Sequence, residues 1–479
     1  MPLYEPPRTH RLRHLLFLLL AVALAALALA WLRGGTPRVR AAWPRAVGLH
    51  TRVTIQAAAG MGLGSARVWY EQAGREIPVW QRRWNGRRWW LSAQPRQARL
   101  ALALGRGDVP GLHDGPATLV VRVSAANLRH SSLTLRRPVV VRSRPPSITA
   151  LTAQQYIVQG GAELVVYRVS PGVARSGVSL GGVFFSGHHL PGAPDGTDFC
   201  LFAYPYNARP PLAARLEAVD DAGNRAQAAF PLHAFPQHFR QRPPFVLTRA
   251  MLQRLVPPIL AHAPGLKPGP SLAANFTLID QTLAQQQLQQ LRLLSRHSRH
   301  SFLWRGAFVP LPHAKLEARF ADSRQFVYHG RVLTREVHLG DDLASVAHTP
   351  IPAANAGRVM LAGYFGIFGN TVVLDHGYGL MTLYGHMNDF AVQVGQSVVK
   401  GQTLGHSDST GLALGDHVHF SVLVDGIMVN PLEWWDPRWL QAHLWRKLAQ
   451  YGNTQTQPGT SPPAAPAAAR AAAGSRPPA

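Results

Sequence analysis

The chain has 479 residues, of which 46% are hydrophobic and only 15% are charged. This composition supplies enough apolar material for several cores, and it excludes a long charged coiled coil and an acidic disordered protein. Lysine and arginine number 49 against 24 aspartate and glutamate residues, so the formal net charge of +25 favours anionic surroundings without choosing among them. The one cysteine, Cys200, excludes an intrachain disulfide and a cysteine-rich zinc module.

The N-terminus carries an apolar segment that predicts a membrane anchor. Residues 15–32 contain no charged side chain, and as a helix rising about 1.5 Å per residue they nearly span a hydrocarbon core of about 30 Å. Arginines precede this run, so we expect residues 1–14 to be cytoplasmic, a single transmembrane pass at 15–32, and the bulk of the chain beyond it. A cleaved signal peptide is the alternative, because Ala28-Leu29-Ala30 resembles a small-residue cleavage site.

Two β-rich segments follow the anchor. Residues 46–143 and 146–235 contain short runs with β character, punctuated by glycine, proline and asparagine roughly every ten residues. This spacing predicts two β-sandwich modules, separated at Pro145-Pro146. The acidic turn Asp220–Asn224 resembles turns of extracellular immunoglobulin-like modules, which implies an immunoglobulin-like fold for these sandwiches.

Residues 248–300 change to a helical period. Met251, Leu255 and Ile259 recur at helical spacing, and a leucine- and glutamine-rich run without glycine or proline follows them. We therefore expect a helical linker between the β modules and the last third of the chain.

The last third is again strand-like, and the end of the chain is not. Residues 311–437 return to β-prone runs and glycine turns, which indicates a further, mainly β domain. Residues 453–479 are rich in threonine, glutamine, proline and alanine. Such a segment buries too little apolar surface to offset its ordering entropy, so we expect a disordered tail.

Histidines of the last third of the chain are candidate metal ligands. His417 and His419 are two residues apart in a strand-like run, so both imidazoles should point to the same side of the strand. Two neutral imidazoles side by side are costly in a core unless a metal uses their lone pairs. His338 and Asp342 can complete the set, since one carboxylate and two imidazoles are a common zinc set with a fourth position open for water. Zn²⁺ would then lower the pKa of that water toward about 7 and make it a nucleophile.

Further motifs accompany these histidines. The pairing of His-x-Gly-x-Asp at 338–342 with His-x-His at 417–419 is more specific than either alone. A hairpin-like run lies at 352–359, a Gly-Asn-x-Val run at 369–377, and a valine and glycine ladder at 394–405. With these motifs, residues 311–437 resemble the lysostaphin/LytM-type zinc metallopeptidases, which cut peptide bonds in bacterial peptidoglycan.

The resemblance implies an antiparallel β peptidase domain at 311–437 and a role for each motif residue. The implied zinc ligands are His338, Asp342 and His419. The implied catalytic pair, which orients the water and moves protons, is His386 and His417, and Asn370 is implied to line the substrate groove.

Neighbouring residues leave two alternatives. The adjacent Asp341 could be mistaken for the ligand, but it lacks the His-x-Gly-x-Asp spacing. His376 is the best candidate for an outer partner of a ligand imidazole, because such imidazoles usually need one. Val418 and Ser421 depart mildly from the family pattern, which more often has leucine at the first position and glutamate or glycine at the second, and we expect neither to contact a proposed ligand.

The resemblance implies a membrane-anchored zinc metalloendopeptidase that hydrolyses peptide cross-links of peptidoglycan. We expect it in the inner membrane of a Gram-negative cell, single-pass, with the bulk of the chain in the periplasm, Zn²⁺ as cofactor and peptidoglycan peptides as partners. No nucleic-acid partner is predicted, because arginines and aromatic residues are not interleaved as on known binding surfaces.

Two other functions stay open, together with several details. One is a LytM-type regulator that binds and activates other wall hydrolases without catalysis, and the intact ligand set favours the enzyme over it. The other is a structural or adhesion role for the β modules. The cross-link that is cut, cleavage of the N-terminal helix, autoinhibition, oligomeric state and protein partners are not decided by the sequence.

Overall fold

The computed structural model describes residues 8–32, 35–84, 94–127, 129, 131–209 and 212–452, so the predicted tail at 453–479 lies outside the described residues. These residues divide into two compact units. The first unit holds the described residues up to Ile148 together with Ser170–Arg175 and Glu217–Gln227. The second unit holds Thr149–Val169, Ser176–Leu216 and the described residues from Ala228 onward.

The apolar N-terminal segment is helical. The helix Arg8–Leu32 has 25 residues, and its apolar side chains are exposed, with Phe17 at 73% and Trp31 at 51%. Within the part of the chain that the structure describes, no helix combines the length and the hydropathy that a membrane crossing requires. The membrane anchor therefore stays a prediction.

Two sheets share one core in the first unit. Alternating burial along Arg52–Ala58 places Val53 and Ile55 inside, where they join Tyr70 and Leu119 of the facing sheet in a single cluster. The two layers form a β-sandwich, while its immunoglobulin-like character stays a prediction. The three-stranded sheet has the order Arg38–Ala41, Arg52–Ala58, Gln97–Ala103, and the five-stranded sheet has the order Ala46–Val47, Ser132–Val141, Gly115–Ala125, Leu63–Gln72, Arg75–Arg83.

The second β-rich segment is also built of strands. Antiparallel pairing joins Ala162–Val169 to Thr197–Ala203, and Thr197–Ala203 to Val183–His189. The strands of this segment are Ile148–Ala150, Gln155–Val158, Ala162–Val169, Val173–Leu180, Val183–His189, Thr197–Ala203, Arg215–Asp220, Arg225–Ala229 and Leu232–Phe235.

A buried ion pair joins this segment to the end of the described chain. The Glu163 side chain is 1% exposed, and its carboxylate lies 2.8 Å from Lys447 Nζ and 2.8 Å from His443 Nδ1. Lys447 and His443 belong to the C-terminal helices, which are Leu432–Trp435, Pro437–Leu440, the π-helix Gln441–Trp445, and Arg446–Tyr451.

The segment predicted as a helical linker is helical. The first helix begins after Thr248, whose hydroxyl accepts from Met251 N, and Leu255 and Ile259 are buried at the predicted spacing. These helices pack against the last third of the chain rather than standing apart from it, because Leu288 and Leu291 join its core. The helices are Arg249–Ala261, Leu272–Leu278, the π-helix Ile279–Leu283, and Ala284–Ser295. We call Arg249–Ser295 the helical segment.

An antiparallel sheet of eight strands dominates the last third, as predicted. Two of its strands, Leu380–Met387 and Val418–Val424, are buried at every position because both faces of the sheet are covered. The order is Lys315–Ala318, Asp341–Ala344, Val418–Val424, Leu380–Met387, Asn370–Gly377, Gly357–Tyr364, Ser397–Val398, with Ile427–Val429 also paired to Val418–Val424. Smaller sheets join Phe245–Val246, Ser323–Tyr328 and Arg331–Val337, and Pro350–Pro352 with Thr403–His406.

Candidate metal centre

Strand register brings the predicted ligands together. Asp342 lies directly opposite His419 across one antiparallel pair, and Gly385 lies opposite His419 across the next. His338 stands in the turn before the strand of Asp342. That turn can lie close to the strand of His419 because residue 340 is a glycine. An added Cβ at Gly340 would lie only 2.6 Å from His419 Nε2.

Three side chains converge on one point. His338 Nε2 and His419 Nδ1 each lie 3.1 Å from Asp342 Oδ1, and the two imidazole rings are nearly perpendicular at 86°. All three ligand atoms lie within 4.8 Å of one another. The side chains of His338 and His419 are each 6% exposed and that of Asp342 is 12% exposed, so these polar atoms are largely withdrawn from water.

The donor set fits Zn²⁺. Ligand atoms about 2.0–2.1 Å from a tetrahedral zinc stand about 3.3 Å apart, close to the separations between Asp342 Oδ1 and both imidazoles. His338 Nε2 is buried and makes no hydrogen bond of acceptable geometry within the described part of the chain. A buried lone pair without a partner is costly, and a cation beside it removes that cost.

Electrostatics keep the carboxylate ionised. Burial alone would raise the pKa of Asp342, but His338 and the imidazoles of His417 and His419 hold it well below its ordinary value. Burial lowers the pKa of His419, against the opposing effect of Asp342. An ionised carboxylate and a neutral imidazole are the protonation states that a metal requires of its ligands.

The two predicted catalytic histidines border the same point. His417 Nε2 lies 3.4 Å from Asp342 Oδ1, and the rings of His386 and His417 are 4.8 Å apart. Each ring fixes its tautomer on a backbone carbonyl, since His386 Nδ1 donates to Thr410 O at 2.7 Å and His417 Nδ1 donates to Gly415 O at 2.8 Å. His386 Nε2 can therefore accept a proton, and a protonated His417 can pass on the proton that its Nε2 directs at Asp342 Oδ1.

The backbone at His386 is strained. Its φ of +62° lies in the left-handed region, which non-glycine residues seldom occupy. Burial, reinforced by His417 and His419, lowers the pKa of His386 well below its ordinary value, so this imidazole is held neutral. Strain and a shifted pKa in one residue are typical of functional positions.

Two other residues weighed from the sequence, Asp341 and His376, do not contribute to the site. Asp341 points away from the ligands, and its Oδ1 accepts from Phe320 N at 2.8 Å, so it is not a competing ligand. The prediction that His376 supports a ligand imidazole is wrong, because both of its ring nitrogens are engaged elsewhere, with Ala356 O at 2.7 Å and Thr382 Oγ1 at 2.8 Å.

Asn370 has a local role in the structure. Its side chain donates to Asn388 O, and among the described residues it does not line the cavity that contains the metal ligands. Its contact with substrate stays a prediction.

Sequence reasoning missed two supporting residues. Thr410 holds His386 through its carbonyl, and its hydroxyl accepts from Asn370 N and donates to Met387 O. Ser421 accepts from His419 Nε2 at 2.9 Å, so the expectation that Ser421 contacts no proposed ligand is wrong. Neither residue type carries a spacing signal, so only the register could reveal them.

A cavity of about 580 Å³ opens over the site. Its lining includes the three proposed ligands and both predicted catalytic histidines. One wall comes from the helical segment, which contributes Asp280, Gln281, Gln285 and Leu288, and Tyr206 of the second β-rich segment also lines it. The cavity is large enough to take several residues of a peptide beside the ligands.

A His-Asp-His set that could hold a metal ion, with two further histidines beside an open cavity, is the arrangement expected of a metallopeptidase site. Residues 336–431 match peptidase family M23, which confirms the predicted LytM-type resemblance for this part of the chain. This segment is thus a peptidase family M23 domain.

Two curated proteins are similar to between a fifth and about a quarter of this chain. The "DD-carboxypeptidase/endopeptidase Mpg" of Neisseria meningitidis serogroup B is 32% identical over 123 residues, which are 26% of this chain and 27% of that protein. The "Peptidoglycan DD-endopeptidase ShyA" of Vibrio cholerae is 36% identical over 96 residues, 20% of this chain and 22% of that protein. The chain thus spans about a quarter of the length of these curated relatives.

Among solved structures, a variant of the catalytic domain of the prophage-encoded M23 protein EnpA from Enterococcus faecalis is similar. It is 28% identical and covers 26% of this chain and 94% of that one, with a TM-score of 0.23.

Proposed function

We propose that this protein is a membrane-anchored zinc metalloendopeptidase that hydrolyses peptide cross-links of peptidoglycan in the periplasm. The observation that carries the proposal is the convergence of His338, Asp342 and His419 inside an M23 domain. The names of the similar proteins, a DD-carboxypeptidase/endopeptidase and a peptidoglycan DD-endopeptidase, support the substrate.

The residues of the proposed site have two roles, zinc binding and proton transfer. His338 Nε2, Asp342 Oδ1 and His419 Nδ1 would hold the zinc. Zinc supplies Lewis-acid polarisation of the scissile carbonyl and acidifies water beside it. His386, whose Nδ1–H is fixed on Thr410 O, would accept a proton from water at Nε2.

His417 completes the proton transfer. Its Nδ1–H is fixed on Gly415 O, and the contact of Nε2 with Asp342 favours the imidazolium, whose Nε2–H can be donated to the leaving amine. General acid–base help of this kind is worth about 10²–10⁴-fold in rate.

The anchor is part of the same proposal. The described apolar side chains of residues 15–31, on the helix Arg8–Leu32, are exposed. A lipid environment would remove these side chains from water. The site would then act on the wall from the outer face of the inner membrane.

The test uses the full chain in detergent, purified peptidoglycan, and mass spectrometry of the released muropeptides. We expect the wild type to bind about one zinc per chain and to release cross-link fragments, which also identifies the bond that is cut. His417→Ala should retain zinc and lose cleavage, because this residue is not a proposed ligand. The matched control is His238→Ala, an exposed histidine outside the M23 domain, which should behave like the wild type.

Two outcomes would contradict the proposal. Full cleavage by His417→Ala would remove the proton-transfer role from that residue. A wild-type chain that binds no zinc and releases no fragment, but raises the activity of another wall hydrolase, would support the regulator instead.

A further inference from the structure

The ligand atom of His419 is its Nδ1, so its Nε2 must be occupied by something else. Nε2 lies 2.9 Å from Ser421 Oγ, and Ser421 Oγ lies 2.8 Å from Leu339 O. A carbonyl oxygen can only accept, so the serine hydroxyl donates to Leu339 and must accept from the Nε2–H of His419. The direction of both hydrogen bonds is therefore determined.

This chain of hydrogen bonds sets the tautomer of His419. With the proton on Nε2, the lone pair is on Nδ1, the atom 3.1 Å from Asp342 Oδ1. A neutral imidazole has one N–H, so an unpartnered Nε2 would leave the proton free to move to Nδ1 and block the ligand position. Ser421 has no exposed surface, so water cannot take its place without rearrangement.

The same hydroxyl joins two ligand segments. Leu339 follows His338 in the turn that leads to Asp342, whereas Ser421 is on the strand of His419. The bond between Ser421 and Leu339 thus ties the turn to that strand, in addition to the strand register.

A serine at position 421 can make both hydrogen bonds, whereas a carboxylate cannot. An ionised carboxylate at 421 could accept from His419 but could not donate to Leu339 O, so the second bond would be lost. A neutral hydroxyl also leaves Asp342 as the only carboxylate in contact with the ligand imidazoles among the described residues.

We propose that Ser421 is a positioning residue of the metal site, which holds His419 in its Nε2–H tautomer and ties the turn of His338 to the strand of His419. The proposal rests on the proposed metal site but not on the substrate. Outer hydrogen-bond partners of this kind typically contribute 10–100-fold in metal affinity.

The chain provides a matched control for this serine. Thr382 has no exposed surface, is on the neighbouring strand, and its hydroxyl bonds a buried imidazole, that of His376, which is not a ligand. Thr382→Val removes a buried hydroxyl from a histidine at similar structural cost, without touching the metal site.

Zinc affinity of the full chain, measured by competition with a chelator, tests the proposal. We expect Ser421→Ala to weaken zinc binding 10–100-fold, Ser421→Thr to recover most of that loss because it keeps the hydroxyl, and Thr382→Val to bind like the wild type. Equal affinity for Ser421→Ala and the wild type would overturn the proposal. Weakening of Thr382→Val as large as that of Ser421→Ala would overturn it too, because the effect would then be general destabilisation.

A second measurement does not require any variant to fold. In the metal-free wild type with ¹⁵N-labelled histidine, NMR should show His419 protonated on Nε2 and bare on Nδ1. The opposite tautomer would refute the role of Ser421 even if zinc binds. Failure of the wild type to bind zinc at all would instead refute the proposed function, so the two failures are distinguishable.

Discussion

Gly340→Ala should damage the metal site through a single methyl group. An added Cβ would lie 2.6 Å from His419 Nε2 and 2.6 Å from Phe420 O, whereas ordinary van der Waals contact begins at 3.4 Å. His419 or the turn must therefore move by about 0.8 Å, several times the tolerance of about 0.2 Å that a zinc–ligand distance allows. We expect zinc affinity to fall by about 10–100-fold, together with an overpacking cost of about 1–3 kcal/mol in the free energy of unfolding.

Chelator competition measures the first effect, and urea unfolding of the metal-free chain measures the second. The control is Gly363→Ala in the same sheet, where an added Cβ meets no atom within 4 Å, so both quantities should stay close to the wild-type values. If Gly340→Ala binds zinc as tightly as Gly363→Ala, the close approach of the turn to His419 is not needed for the site.

Three further predictions concern the second unit. Arg254 donates to Leu414 O at 2.9 Å, beside the loop that orients His417, so Arg254→Ala should lower kcat about tenfold in the muropeptide assay at unchanged zinc content. Burial raises the pKa of Glu433 to about 8, so the folded state keeps a proton that the unfolded state loses above about pH 4.5. Stability should therefore fall as pH rises from about 4.5 to 8, and Glu433→Gln should be more stable than the wild type at pH 9 by about 1–3 kcal/mol in urea unfolding. Lys447→Met leaves the carboxylate of Glu163, 1% exposed, without its nearest cation, and should cost about 3 kcal/mol by the same measurement.

Each of these predictions has a control in the chain. Arg249→Ala changes an exposed arginine at the start of the same helix as Arg254 and should keep the wild-type kcat. Glu317→Gln changes a carboxylate that is 46% exposed and should keep the wild-type dependence of stability on pH. Lys315→Met removes an ion pair whose lysine is 78% exposed and should cost no more than about 0.5 kcal/mol. A variant and its control that behave alike would contradict the prediction concerned.

The ligand set could be predicted because short-range geometry and motif spacing both point to it. A strand places residues i and i+2 on one side, and His417 and His419 both contact Asp342. The sequence could not show that Asp342 lies directly opposite His419, since register depends on pairing between distant strands. The supporting role of Ser421 follows only from that register.

Burial patterns limited what could be predicted about the fold. Alternation along Arg52–Ala58 indicates a strand of a sandwich, with one face buried. The strands Leu380–Met387 and Val418–Val424 are buried at every position, so they carry no such alternation. His376 was mistaken for a partner of the site because proximity in the motif does not show which way a side chain in a doubly covered sheet points.

The helical segment is the largest difference between expectation and structure. Its helices could be predicted from leucine spacing, but its packing could not, because Gln281 and Gln285 reach the cavity through contacts far apart in sequence. The expected linker is therefore a wall of the site, and so its side chains can affect which peptides enter.

Anomalous diffraction at the zinc absorption edge, from crystals of the full chain grown with zinc, tests the metal centre most directly. We predict a single strong peak at about 2.0–2.2 Å from His338 Nε2, Asp342 Oδ1 and His419 Nδ1. A zinc peak coordinated by other residues would contradict the site described above. The absence of any zinc peak in crystals grown with zinc in excess would contradict it as well.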